Sequence, residues 1–122
     1  MKFWLFVFIG GGAGSMARYG LSTIFEDYKL LGGFPVATFL ANMLSSFIVG
    51  ILLGLIDRTQ ADNSLWLLLA VGFCGGFSTF STLSLESFKM IQNGQWLLFG
   101  TYMLLSVIFG IIMVFLGYQK NF

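Results

Sequence analysis

The 122-residue sequence predicts an all-α membrane protein of four transmembrane helices, the third of them broken near its middle. Three observations predict it. The chain is 57% hydrophobic and 9% charged, with a mean hydropathy of +0.90, whereas soluble domains carry about 25% charged residues. Its charges sit in a few places and leave uncharged runs over 3–17, 30–56, 63–85 and 90–119. A helix needs about 20 apolar residues to cross a bilayer. The last three runs are long enough, and the first is if its helix continues past Arg18 to Ile24. Finally, the third run packs Gly75, Gly76, Ser78, Thr79, Ser81, Thr82 and Ser84 into 75–84, which is poor helix material. The chain reads as one domain, 1–122, with spans at about 3–24, 34–56, 64–88 and 95–118 and the break near 75–79.

The first span opens on Lys2, an apolar run and a small-residue patch over 14–17. That is the outline of a signal peptide, but the rest of the chain is membrane-embedded with no soluble domain to export, so the segment reads as a span. Gly10, Gly14 and Arg18 recur there every four residues, and Arg18 reads as an interfacial cation near a helix end. The connection over 25–33 carries Glu26, Asp27, Lys29 and Gly32-Gly33. Pro35 falls at the start of the second helix, where its missing N–H costs little. Thr38, Asn42, Ser46, Gly50 and Gly54 then form one stripe, of which Ser46, Gly50 and Gly54 let another helix approach closely. Asn42 is different, because an amide near midspan needs partners. It either ties helices together or faces an anion, and spacing alone leaves both open. Asp62, Asn63 and Ser64 are candidate caps for the third span, and a third connection falls near 92–94. The fourth span repeats the stripe with Tyr102, Ser106 and Gly110. Trp4, Trp66 and Trp96 each lie near the start of a span, as interfacial anchors do.

Several chemistries are excluded by composition. One cysteine, Cys74, allows no internal disulfide and reads as a small buried hydrophobe. The absence of histidine removes Ser-His and Cys-His nucleophilic pairs and imidazole relays. A net charge of +1 gives no reason to expect nucleic acid as a partner. With four spans, Lys2, Arg58 and Lys120 fall on one side of the membrane and Arg18, Lys29 and Lys89 on the other. A Lys/Arg excess on cytoplasmic loops normally sets orientation, and this chain has none. The balance points to insertion in both orientations and antiparallel pairing, and four helices alone are too thin a bundle to enclose much of a pathway.

The broken span carries the most chemistry. Hydrocarbon offers backbone groups no water, so a break at membrane depth survives only against protein, an ion or a wet pathway. Channels and transporters hold ions at such places. Freed carbonyls suit a hard cation such as Na⁺. Beyond the break, Phe80, Leu83, Ser84 and Ser87 share one helical face, and Ser81 stands beside Ser84. An aromatic ring has a positive edge, so Phe80 can meet an anion while hydroxyls donate to it. Composition alone reads Phe80 as one of fifteen phenylalanines filling a bundle.

The segment Gly72-Phe-Cys-Gly-Gly-Phe-Ser-Thr-Phe-Ser-Thr-Leu-Ser84 resembles the signature of the Fluc (CrcB) family of fluoride channels. So do Gly10-Gly-Gly-Ala-Gly14 with Arg18-Tyr19, the Asn42-centred second span and the Tyr102/Ser106 pair, so the resemblance covers essentially the whole chain. It implies an ion channel rather than an enzyme, performing passive fluoride efflux that confers fluoride resistance. It implies a dual-topology antiparallel homodimer, or a pair with a paralogue. The setting it implies is the lipid of a bacterial cell membrane, the inner one in a Gram-negative host. It further implies a structural, untransported Na⁺ at the dimer centre, held by main-chain carbonyls of Gly75 and Ser78. The fluoride pathway carried over comprises Asn42, Phe80, Ser81, Thr82, Ser84, Tyr102 and Ser106. The second aromatic of the family's phenylalanine pair falls at Leu83, which has no ring, and Ser45 stands where the family often has glycine. Two other readings compete. A proton-coupled small multidrug-type transporter needs a carboxylate inside the membrane, whereas Glu26, Asp27, Asp57, Asp62 and Glu86 fall at or near span ends. A non-conducting structural subunit explains the glycine stripes but not a break dense in hydroxyls.

Overall fold

The computed structural model describes residues 2–25, 34–59 and 63–119. The charge cluster at Glu26, Asp27 and Lys29, the Gly32-Gly33 pair, the Asp62 cap and Lys120 lie outside them. Apart from short turns and one extended step, the described residues are helical, and they contain no strand. Helix α1 runs Lys2–Ile24 and α2 runs Val36–Thr59. A short α3, Asn63–Leu65, passes directly into a π-helical stretch, Trp66–Cys74, and then into one further turn, α4, Gly75–Phe77. Helix α5 covers Phe80–Gln92 and α6 covers Trp96–Gln119. Between α5 and α6 the chain turns at Gly94, whose φ of 74° lies in the left-handed region that glycine enters without strain.

Glycine sets the directions in which these helices pack. A Cβ on Gly10 would run into the Leu68 carbonyl, and one on Gly14 into the Phe73 carbonyl, so α1 lies directly on the backbone of the π stretch and runs parallel to it. On the other side of the molecule, Gly50 of α2 abuts Val114 and Gly117 of α6 abuts Phe47. Helices α2 and α6 are therefore also parallel and form the most extensively packed pair. Thr38 beside Glu86 and Asn42 beside Thr79 show α2 antiparallel to α5. The long segments thus alternate in direction along the chain, and the α5–α6 end is closed by a cluster of Leu83, Met90 and Tyr102 with Phe34 and Phe39 packed against it.

Among the described residues, three segments are long and apolar enough to cross a membrane: Val36–Thr59, Trp66–Gln92 taken across its interruption, and Trp96–Gln119. Helix α1, at 23 residues, has the length, but Gly10, Gly11, Gly12, Gly14, Ser15 and Arg18 dilute its hydropathy. Only 6% of the most apolar window of α6 is buried within the chain, and Leu97, Leu104, Ile111 and Phe115 stand largely exposed. Apolar surface on that scale needs lipid or another protein against it.

Candidate functional site at the interrupted third span

Gly75 and Gly76 do not break the helix; the interruption comes after them. Both remain helical, and Ser78 donates from its backbone N–H and from Oγ to the Cys74 carbonyl, at 2.9 and 2.7 Å, which completes the turn. The backbone then becomes extended at Ser78 (ψ 158°) and Thr79 (φ −156°). The cause is tertiary. In an unbroken helix the Thr79 N–H would close on the Gly75 carbonyl, but here it donates to Oδ1 of Asn42 at 2.9 Å. Thr79 then caps the new helix, its Oγ1 accepting from the Thr82 N–H at 3.3 Å, a contact of a kind worth about 1 kcal/mol.

The glycine pair serves packing instead. A Cβ on Gly76 would run into the Gly11 carbonyl and crowd Ser15, so only glycine lets α4 sit against α1. Gly75 faces outward, and a Cβ there meets nothing closer than the Ala70 carbonyl at 4.0 Å. Arg18 reaches across from α1 and donates from Nε to the Gly76 carbonyl at 3.1 Å. The residue expected as an interfacial cation thus holds a carbonyl of the interrupted segment. Arg18→Met keeps the stem and removes this donor. Thermal unfolding in detergent should show a loss of about 1.5–3 kcal/mol, the range for hydrogen bonds to charged groups.

A cavity of about 300 Å³ opens where α2, the interruption and α6 meet. Asn42, Ser45, Ser46, Ser78, Phe80 and Leu83 are among its lining residues, and no charged side chain is. Since Asn42 Oδ1 is taken by Thr79, its Nδ2 is the polar atom left to donate. The N-terminus of α5 opens beside it, adding the positive end of a helix dipole. The α5 N-terminus and the Asn42 amide both favour an anion in this cavity.

The expected pathway residues do not all converge here. Asn42, Phe80, Leu83 and Ser78 line the cavity. Phe80 is 75% exposed and continues outward with the exposed Ser81 and Ser84, forming a polar strip on the outside of α5. Thr82 packs against its cap Thr79. The buried stripe of α5 is Leu83, Ser87 and Met90 rather than the face running through Phe80 and Ser84. Leu83 is 7% exposed and belongs to the apolar cluster as well as to the cavity wall. Tyr102 is fully buried and donates to Oε1 of Glu86 at 2.7 Å, away from the cavity. Ser106 Oγ is buried with no partner.

Glu86 is the residue that reading by span ends missed. It lies well inside α5, half-buried, accepting from Thr38 Oγ1 at 2.8 Å as well as from Tyr102. Its position argues against counting acidic residues at span ends as a way to exclude a transporter. A signal was available: Glu86 follows Leu83 by three and precedes Met90 by four, which puts it along the buried side of an amphipathic helix.

The family model for CrcB-like protein, Camphor Resistance (CrcB), matches residues 5–118. The chain is 42% identical over 117 residues to a fluoride-specific ion channel FluC of Phocaeicola vulgatus, covering 96% of each chain. It is 43% identical over 119 residues to one of the same name from Pyrococcus abyssi, covering 97% of this chain and 94% of the relative. A third, from Gloeothece citriformis, is 44% identical over 117 residues, with 93% and 91% covered. Matches of this extent, across every described helix and both flanks of the interruption, place the chain in the CrcB family.

Proposed function

We propose that the protein is a fluoride-selective channel, not an enzyme, that lets fluoride leave the cell passively and so confers fluoride resistance. The observation that carries this reading is the uncharged cavity at the interruption, where Asn42 presents amide donors and α5 its N-terminus; the names of the relatives agree with it. Fluoride is small and strongly hydrated, so a pathway must replace its water with several donors at once. Fluoride enters cells as neutral HF, ionises in the less acidic cytoplasm, and returns through such a pathway as the anion without energy input.

A second copy completes the path in this reading. Phe80, which lines the cavity, is exposed together with the Ser81 and Ser84 hydroxyls on the same side of α5, and hydroxyls facing hydrocarbon without partners cost several kcal/mol, by water-to-alkane transfer about 4–8. A partner laid over this side satisfies them and encloses the anion. With α1 as the fourth span, the three-to-three Lys/Arg balance leaves both orientations open, so the partner is an inverted copy of the same chain. The protein is then a multi-pass membrane dimer, in the cell membrane of a bacterium. Adding three lysines to the connection over 57–64 should fix that loop in the cytoplasm and starve the dimer of one orientation. Fluoride transport should fall by more than half and return when an oppositely biased copy is co-expressed. Accessibility mapping that finds every unmodified chain in one orientation would contradict the pairing.

Na⁺ fits the same arrangement. The Gly75 carbonyl has lost its helical donor, the Thr79 N–H, to Asn42, Gly75 is exposed, and Ser78 is extended. Among the described residues no three His, Cys, Asp or Glu side chains converge to hold a metal, so main-chain oxygens are the available ligands. The Gly75 and Ser78 carbonyls of two copies would hold Na⁺ at the dimer centre as a structural ion, neutralising the inward-pointing dipoles. Ser78→Ala should leave it bound, since the ligand is the backbone.

Phe80 contributes its ring edge at the mouth. Because it is 75% exposed, Phe80→Ile removes almost no packing within the chain. With Leu83 ringless beside it, fluoride flux should drop by more than half while dimer elution stays unchanged. The reading as a whole is tested by fluoride release from liposomes holding the purified protein, followed with a fluoride electrode. Rapid release of fluoride and retention of chloride support it; proteoliposomes as tight as empty ones contradict it.

A further inference from the structure

We infer that Ser45 donates a hydrogen bond to the permeating anion, an inference that rests on the channel reading above. Several polar atoms around the cavity are already committed. Asn42 Oδ1 accepts from Thr79, Ser78 Oγ donates to Cys74, and Thr79 Oγ1 is engaged with Thr82. Ser45 lines the same cavity, is only 3% exposed, and its Oγ is buried with no hydrogen-bond partner. A buried hydroxyl left unpaired destabilises the chain that carries it. Such a group is explained if its partner is absent from the isolated chain and present during function.

The position specifies the partner. Ser45 follows Asn42 by three residues on α2, so the two side chains are neighbours on one side of the helix. The parallel register of α2 and α6 adds a third group. Thr38 and Tyr102 share Glu86, Ser46 lies against Gly110, and Gly50 against Val114, so Ser106 stands level with Asn42. Among the described residues, Ser106 Oγ is the other buried hydroxyl without a partner. The Asn42 amide and two unsatisfied hydroxyls therefore occupy one stretch of the membrane depth. The amide nitrogen can only donate, which disfavours a cation there and makes the hydroxyls co-donors to an anion. Leu83, across the cavity, offers neither donor nor ring edge, and Ser45 supplies a contact on the α2 wall.

Ser45→Ala separates this role from packing, because the two predict opposite signs. Removing an unpaired buried hydroxyl should leave the melting temperature of the full-length protein unchanged or higher. Fluoride release from liposomes should slow by about tenfold, the effect of losing one hydrogen bond to a charged partner. Ser45→Thr, which keeps the hydroxyl, should retain most of the flux. If unmodified protein passes fluoride and Ser45→Ala passes it equally fast, the hydroxyl only turns back on its own helix; the inference fails and the channel reading stands. If Ser45→Ala loses stability and flux together, Ser45 is a packing residue and the inference fails likewise. If the unmodified protein passes no fluoride, the channel reading fails and takes this inference with it.

Discussion

Asn42→Asp should all but abolish fluoride transport while leaving the fold in place. The structure separates two jobs of this side chain that sequence alone merges. Its Oδ1 accepts the Thr79 N–H and so creates the interruption; its Nδ2 is left as a donor on a residue that lines the cavity. Aspartate keeps an acceptor for Thr79, so α5 still starts at Phe80. It also removes the donors and places a negative charge on the path. Two like charges about 4 Å apart repel by roughly 4 kcal/mol at an effective dielectric constant of about 20, and flux should fall on the order of a hundredfold or more. Asn42→Ser has the reverse character. Serine is too short to reach Thr79, so an N–H is left unpaired at a cost of about 1–3 kcal/mol. A small hydroxyl still permits passage. Asn42→Ser should therefore melt earlier than Asn42→Asp and conduct better. Flux assays beside thermal melts check both halves; equal flux in Asn42→Asp and the unmodified protein would route the anion elsewhere.

The adjacent glycines should respond to substitution in opposite ways. Gly76→Val places a side chain in the Gly11 carbonyl and against Ser15. Helix α1 has to move away, taking the Arg18 bond to the Gly76 carbonyl with it. Overpacking of this kind costs about 1–3 kcal/mol or more, and the variant should express poorly or elute as aggregate. Gly75→Val meets open space within the chain. Its helices should form and its secondary structure should be unchanged, yet the new side chain stands where an inverted copy and the central Na⁺ would lie. Such a variant should elute as a folded monomer. A Gly75→Val protein that remains a fully active dimer would show that this face does not carry the subunit contact.

Much of the helical architecture was legible in the sequence because lipid imposes a simple rule: a charge-free run of sufficient length becomes a helix. The density of glycine and hydroxyl residues over 75–84 also marked the interruption. Its register was not legible. Composition narrows the break only to 75–79; within it Gly75 and Gly76 stay helical and the extended step falls at Ser78 and Thr79, because Asn42, 37 positions earlier in sequence, captures the Thr79 N–H. The π-helical winding over Trp66–Cys74, a stretch that lies directly against Gly10 and Gly14, was not legible either. Arg18 and Glu86 were judged by distance from span ends, a measure that does not see the bonds across to the Gly76 carbonyl, Thr38 and Tyr102. Nor does the stripe of Tyr102, Ser106 and Gly110 show that the Tyr102 hydroxyl is committed to Glu86. Periodicity identifies which face a residue shares, but which hydroxyls on that face are already committed emerges only once the partners are in place. Ser45 shows the point most clearly, as an ordinary small residue in sequence and an unpaired buried donor in the fold.

The central claim, that fluoride crosses passively and selectively at the interrupted span, is tested most directly by recording currents from the purified protein in a planar bilayer, with fluoride on both sides at unequal concentration and chloride balanced. The account predicts steady currents that reverse at the fluoride equilibrium potential, shift with every change in the fluoride gradient and ignore an imposed pH gradient. Currents that reverse at the chloride potential, or transport that follows the pH gradient in place of the fluoride gradient, would contradict it.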